Sequence, residues 1–253
     1  MDWTIEHGMV VRRIGAGPEI VWLHGLGESS VHFEPLIAAM PRHRHVLVDL
    51  PGYGRSAWPA DGAPVETLDG LAEHLARWLA ARPPAVVIGH SMGGVVATLL
   101  AARAPVRAIV DIEGAVSRGD CKLSAQAVAF TVDAFRAHGF AELRERIYAD
   151  GMARPALRGY HAALCFASPR MFHRHATGLI ALGDGGTLAP RLAALHVPAL
   201  YVAGVPDGTC AASRALLDRH HVRWIGIEPA GHWVYVDQLA RCAEEIERFL
   251  GEL

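Results

Sequence analysis

The sequence predicts an α/β protein built on a mostly parallel sheet flanked by helices. Three observations carry that prediction. Short apolar runs alternate with helix-length amphipathic stretches along most of the chain. The apolar runs are continuous rather than alternating, as strands covered on both faces require. The chain has 253 residues, enough for one large domain or a domain with an insertion.

The elements follow in order. Val10–Ile14, Glu19–Leu23 and His45–Leu50 read as strands. Asp69–Ala81 reads as a helix because Leu71, Leu75, Trp78 and Leu79 share one face, and Pro83-Pro84 ends it. Ala85–Ile88 is a buried-type strand, followed by a helix that starts near Met92 and covers Val95–Arg103. Val106–Ile112, Pro198–Ala203 and Val222–Ile227 are the remaining strands. The last helix runs from Val234 to Leu250, with Leu239, Ala243, Ile246 and Leu250 near helical spacing. Between Ile112 and Pro198 the alternation breaks. The stretch carries helical patterns (Leu123, Ala127, Phe130; Phe140, Leu143, Ile147) and no convincing strand. A helical insertion at about 115–195, within a sheet domain formed by 1–114 and 196–253, is the simplest reading.

Composition excludes several classes. Hydrophobic residues make up 51% and charged residues 20%, which argues against disorder and coiled coil. A net charge of −2 leaves no electrostatic footprint for nucleic acid. No apolar run reaches the ~18 residues of a membrane span, and the start lacks the basic and apolar regions of a signal peptide. Cys121, Cys165, Cys210 and Cys242 are scattered and read as reduced thiols, so the expected location is cytoplasmic. The histidine pairs His43/His45, His173/His175 and His220/His221 have no acidic or cysteine partners in a metal-site motif, so no metal is expected.

The chemistry-bearing feature is Gly89-His90-Ser91-Met92-Gly93, a G-x-S-x-G segment between a strand and a helix. Small residues on both sides of the serine permit a sharp turn that lifts the hydroxyl above the sheet. The helix N-terminus beneath it favours developing negative charge.

Taken with its neighbours, this segment resembles the α/β-hydrolase superfamily over nearly the whole chain outside the insertion. Val21-Trp22-Leu23-His24-Gly25-Leu26-Gly27 is similar to the family's strand and oxyanion loop. Asp49-Leu50-Pro51-Gly52-Tyr53-Gly54-Arg55-Ser56 is similar to the segment after the next strand, and Ala230-Gly231-His232-Trp233 to the loop of the catalytic histidine. The resemblance implies an α/β-hydrolase fold with a helical cap inserted after the sixth strand. It implies Ser91 as nucleophile, His232 as base, and the backbone of Leu26 and Met92 as the oxyanion hole. Gly25 and Trp233 are expected at the substrate, His24 in support of the loop, and His90 packed under the elbow.

The triad acid must follow the serine and precede the histidine in this family. Asp207, after the strand Ala199–Ala203, matches the commonest position and is placed first. Glu113, after Val106–Ile112, matches the position used by haloalkane dehalogenases and stays open as the alternative. The implied activity is hydrolysis of a carboxylic ester, thioester or lactone through an acyl-enzyme on Ser91, with no cofactor. The expected partner is a small-molecule ester, free or carrier-bound, acted on by a monomer or homodimer without nucleic acid or membrane. Carboxylesterases of pimeloyl carrier-protein methyl esters and C–C bond hydrolases of meta-cleavage products are both similar in layout. A non-hydrolytic lyase, cyclase or perhydrolase on the same triad is the alternative, and a ligand-binding protein on this fold ranks below it. Aromatic residues of the insertion (Phe130, Phe135, Phe140, Tyr148, Tyr160, Phe166, Phe172) are expected mostly in its core, with a subset lining an acyl pocket.

Overall fold

A computed structural model describes residues 2–253. Eight strands form one sheet: β1 (Asp2–Glu6), β2 (Met9–Ile14), β3 (Glu19–Leu23), β4 (Arg44–Asp49), β5 (Val86–His90), β6 (Ala108–Ile112), β7 (Ala199–Pro206) and β8 (Trp224–Ala230). Their order is β1-β2-β4-β3-β5-β6-β7-β8. The pairs β1/β2 and β2/β4 are antiparallel and every other pair is parallel. Each of the seven expected strands overlaps one of these.

The strand that sequence reading missed is β1. It lies at the sheet edge, where Trp3 and Ile5 are 61% and 73% exposed. An edge strand with little buried surface needs no apolar run, so the pattern that marks the interior strands is absent.

Side chains of the central strands alternate between two buried clusters. Val87 and Ile109 face one layer with Leu71, Leu75, Trp78 and Leu99. Ile88 and Val110 face the other with Trp22, Phe33, Ile246 and Phe249. Each fully buried side chain of this kind contributes roughly 1.5–3 kcal/mol. The helix Leu68–Leu79 buries the predicted face, and Thr67 Oγ1 caps its start by accepting from Gly70 N–H at 3.0 Å. The predicted single C-terminal helix is two pieces, Val234–Asp237 and Leu239–Leu250. Gln238 between them leaves helical geometry, with φ −136° and ψ 59°. No helix of the described residues is long and apolar enough to cross a membrane.

Between β6 and β7 the described chain contains helices and no strand. Helices Lys122–Val128, Phe140–Gly151, Pro155–Leu164 and Pro169–Gly185 make most of it. Phe135, Phe140 and Phe172 pack ring to ring in its interior, with centroids 5.7 Å apart. A buried relay ties it to the sheet domain. Tyr53 Oη donates to His175 Nδ1 (2.8 Å), and His175 Nε2–H donates to the Val65 carbonyl (2.7 Å). Burial pushes the His175 imidazole down to about 4, so it stays neutral.

Candidate active site

Ser91 stands between β5 and the helix Met92–Ala101, at the carboxyl edge of the sheet. Its backbone has φ +53° and ψ −117°, a left-handed conformation that costs an L-residue roughly 1–3 kcal/mol. The flanking glycines make the turn possible. A Cβ on Gly89 would sit 2.1 Å from the Gly93 carbonyl oxygen, and one on Gly93 would sit 1.9 Å from that of Leu23. Ser91 N–H is tied across to the Ile112 carbonyl (2.8 Å), which holds the strained turn in place. The serine hydroxyl has no protein hydrogen-bond partner among the described residues and opens on a cleft that His232 shares. Catalytic hydrogen bonds of this type often tighten only around a bound substrate.

His232 lies in the loop after β8, and its Nδ1 is 3.1 Å from Glu113 Oε2. Glu113 follows β6 with φ +60°, and its N–H bonds to the Val202 carbonyl on β7 (3.0 Å). The left-handed turn directs its side chain across the sheet edge. The carboxylate is 3% exposed. Its Oε1 accepts from Gly204 N–H (2.5 Å), Thr209 N–H (3.0 Å) and Thr209 Oγ1–H (2.6 Å), which leaves Oε2 for the imidazole. Asp207, expected first because it stands at the family's commonest position for the acid, holds no hydrogen bond to His232. It is exposed, and its N–H bonds to the Ala230 carbonyl at 3.2 Å. Of the two carboxylates the sequence left open, Glu113 is the one in contact with the histidine.

The loop after β3 approaches Ser91 from the other side. Neither Leu26 N–H nor Met92 N–H has an acceptor among the described residues. The Leu26 carbonyl is held by Tyr160 Oη–H from the helical segment (3.0 Å). His24 lies beneath the loop: its Nδ1–H donates to the Gly25 carbonyl (2.9 Å) and its Nε2 accepts from Leu50 N–H (2.9 Å). Burial holds that imidazole below its usual range, hence neutral. Gly25, expected at the substrate, does not line the cleft. Its N–H is taken by Glu28 Oε2 (2.8 Å), because the loop turns back on its own carboxylate. Trp233 does line the cleft, and its indole N–H is also bound to Glu28, through Oε1 (2.6 Å).

Residues 20–245 match the family model described as "Alpha/beta hydrolase family". The chain belongs to the alpha/beta hydrolase family. A pimeloyl-[acyl-carrier protein] methyl ester esterase of Aeromonas hydrophila is 31% identical over 258 residues, covering 95% of this chain and 98% of that protein. The enzyme of the same name from Shewanella woodyi is 41% identical over 104 residues, covering 40% of this chain and 38% of its own. Among solved structures, a hydrolase from Pseudomonas aeruginosa PA01 superposes with a TM-score of 0.78 at 22% identity, covering 99% of this chain and 98% of that one.

In this alpha/beta hydrolase the cleft holds about 690 Å³ and is lined by Ser91, Glu113 and His232 together with residues of the helical segment. The apolar wall is mainly aliphatic: Leu123, Ile147, Leu157 and Leu179. Of the aromatic residues of the insertion, expected mostly in its core with a subset at the pocket, Tyr160 is the one that lines the cleft. Phe135, Phe140 and Phe172 are buried elsewhere in the segment, and Tyr148 and Phe166 are exposed. Sequence reading also missed Glu28, which is 1% exposed and bound to three partners. A lone glutamate in a glycine-rich loop carries no pattern that reports burial.

Proposed function

We propose that the protein is a serine hydrolase that cleaves a carboxylic ester through an acyl-enzyme on Ser91. The observation that carries this reading is the strained Ser91 turn opening on the cleft that also holds the hydrogen-bonded His232–Glu113 pair. A serine hydroxyl is a weak nucleophile until a base takes its proton. His232 accepts that proton through Nε2 as Ser91 attacks the ester carbonyl. Glu113 keeps the opposite nitrogen protonated and stabilises the imidazolium that forms. The N–H groups of Leu26 and Met92 receive the oxyanion, each worth about 2.7–4 kcal/mol of barrier in comparable sites. His232 then protonates the departing alcohol. Water, deprotonated by the same histidine, frees the acid and restores Ser91. These steps use the chain's own groups and water.

Residues 115–195 serve as a cap in this reading, covering Ser91 with an aliphatic wall suited to an acyl chain. The activity named for the curated relatives supports an ester on a carrier-bound acyl chain as one substrate to test. Thioesters and lactones share the tetrahedral chemistry and belong in the same panel. A fluorophosphonate probe is expected to label the wild type and not Ser91→Ala. Absence of labelling in the wild type overturns the hydrolase reading. Labelling without turnover of any ester, thioester or lactone redirects it to a non-hydrolytic reaction on the same triad.

A further inference from the structure

We propose that Glu28 is a positioning residue that aligns the oxyanion loop and the base loop through one buried carboxylate. The inference rests on the serine-hydrolase reading above. Glu28 makes contact with three separate parts of the site. Oε2 accepts from Gly25 N–H (2.8 Å), next to the Leu26 peptide, and faces His90 Nδ1 (3.0 Å), the residue before the nucleophile. Oε1 accepts from the Trp233 indole (2.6 Å), the residue after the base. His90 extends the junction, because its Nε2 lies 2.9 Å from the His232 carbonyl.

The partners define the charge state. His90 Nδ1 faces the Glu28 carboxylate at 3.0 Å, with the Tyr235 hydroxyl farther off at 3.4 Å, and Nε2 faces a carbonyl oxygen; carboxylate and carbonyl only accept, so the ring satisfies both only as an imidazolium. Burial would lower the affinity of His90 for its proton, but the Glu28 carboxylate outweighs it and the group is held above its ordinary value. Burial would likewise raise the Glu28 carboxyl, but the His90 charge and hydrogen bond hold it well below the usual carboxylate range. The result is an ion pair with both side chains at most 2% exposed, directly under the reaction centre.

Stability does not account for such a pair. Desolvating two charges costs several kcal/mol each, and an apolar pair of similar volume often holds a fold as well or better. Alignment does account for it. The Leu26 N–H belongs to the Gly25–Leu26 peptide plane; the plane before it is held at Gly25 N–H by the Glu28 carboxylate, and the plane after it is held at the Leu26 carbonyl by Tyr160. That double hold fixes the direction of the Leu26 N–H, the group that must meet an oxyanion only in the transition state. The His90 ring centroid is also 4.8 Å from that of His232. Without Glu28, a cationic His90 would oppose the imidazolium that His232 becomes during attack, and a neutral His90 would lose one of its two donor links.

The test is Glu28→Gln, which preserves shape and removes the charge. Kinetics on a p-nitrophenyl ester should show kcat reduced roughly 10- to 100-fold with KM within about threefold, part of the loss seen on deleting an oxyanion donor outright. The affinity of an alkyl boronic acid, which forms an anionic tetrahedral adduct on Ser91, should fall by a similar factor. Trp233→Phe, which cuts a single arm, should move both quantities the same way by less. It also keeps the test open if Glu28→Gln does not fold. A folded Glu28→Gln protein with unchanged kcat and unchanged boronate affinity overturns the inference, as does a loss confined to thermal stability. Wild-type labelling by the fluorophosphonate separates the two readings. If the wild type fails to label, the serine-hydrolase reading falls. If wild type and Glu28→Gln label at equal rates, only the positioning role falls.

Discussion

The turns after β6 and β7 lie side by side at the carboxyl edge of the sheet, each with a carboxylate near His232, and they treat it in opposite ways. After β6 the backbone enters a left-handed turn at Glu113 and buries the carboxylate, one oxygen of which accepts three hydrogen bonds. From the end of β7 and the turn beyond it, Gly204 and Thr209 give their backbone N–H groups to that same carboxylate, and Asp207 is left exposed. The second turn is thus a cradle for the carboxylate of the first. Chain order alone does not distinguish a carboxylate that is held from one that helps to hold it.

The largest expected effect is the sharpest way to break this contrast. Glu113→Gln should lower kcat by on the order of 10⁴, as loss of the triad acid does elsewhere, with the fold retained. Asp207→Asn should change kcat by less than about tenfold, in line with an exposed side chain. Steady-state kinetics on one ester decides between them, and the reverse ranking would restore Asp207 as the acid.

Thr209→Val sharpens the comparison from the cradle side. It removes the hydroxyl donor to Glu113 Oε1 and leaves the buried charge with one partner fewer. A hydrogen bond to a charged group is worth about 1.5–3 kcal/mol, so unfolding in urea should show a loss of that order.

Asp111, two residues before Glu113 on β6, offers a third carboxylate in a third environment. Burial pushes it up to about 8, reinforced by the nearby Glu113. Oδ1 accepts from Gly114 N–H (2.8 Å), while Oδ2 is buried without a partner. The folded protein therefore holds a proton that the unfolded chain releases near 4. The stability tied to it is complete below that value and is lost as pH rises through about 8. Relative to Asp111→Asn, the wild type should weaken by up to about 1.4 kcal/mol per pH unit across that window. Denaturant midpoints at pH 5 and pH 8 check this, and parallel curves would refute it.

The smallest effect lies far from the site, on the edge strand. Glu6 accepts hydrogen bonds from Thr4, Trp78 and Arg13 and pairs with Arg82. Burial raises its carboxyl, but these partners outweigh it and bring it down to about 2. Because the folded value is depressed, its contribution is present above about 4.5 and fades as pH falls toward 2. Glu6→Gln should reduce stability slightly at pH 7 and not at pH 2, measured by thermal unfolding.

Much of this molecule could be read before its structure. Interior strands declare themselves because burial on both faces demands unbroken apolar runs, as at Val86–Ile88 and Ala108–Val110. Ser91 declares itself because its turn leaves no room for a side chain two positions before it or two after it, at Gly89 and Gly93. These are local constraints, and a local constraint leaves a local pattern. The edge strand Asp2–Glu6 leaves none, since one exposed face and a single pairing partner impose no apolar run.

The remaining decisions required distant residues to meet. Glu113 reaches His232 across 119 positions, and Glu28 joins His90 and Trp233 across 62 and 205. The aliphatic wall of the cleft comes from helices whose inward faces depend on how the segment docks. Composition, period and motif therefore determined an α/β sheet and the serine turn at its edge. Which carboxylate supports the base, and which residues meet the substrate, depends on distances through space, and sequence spacing carries no record of them.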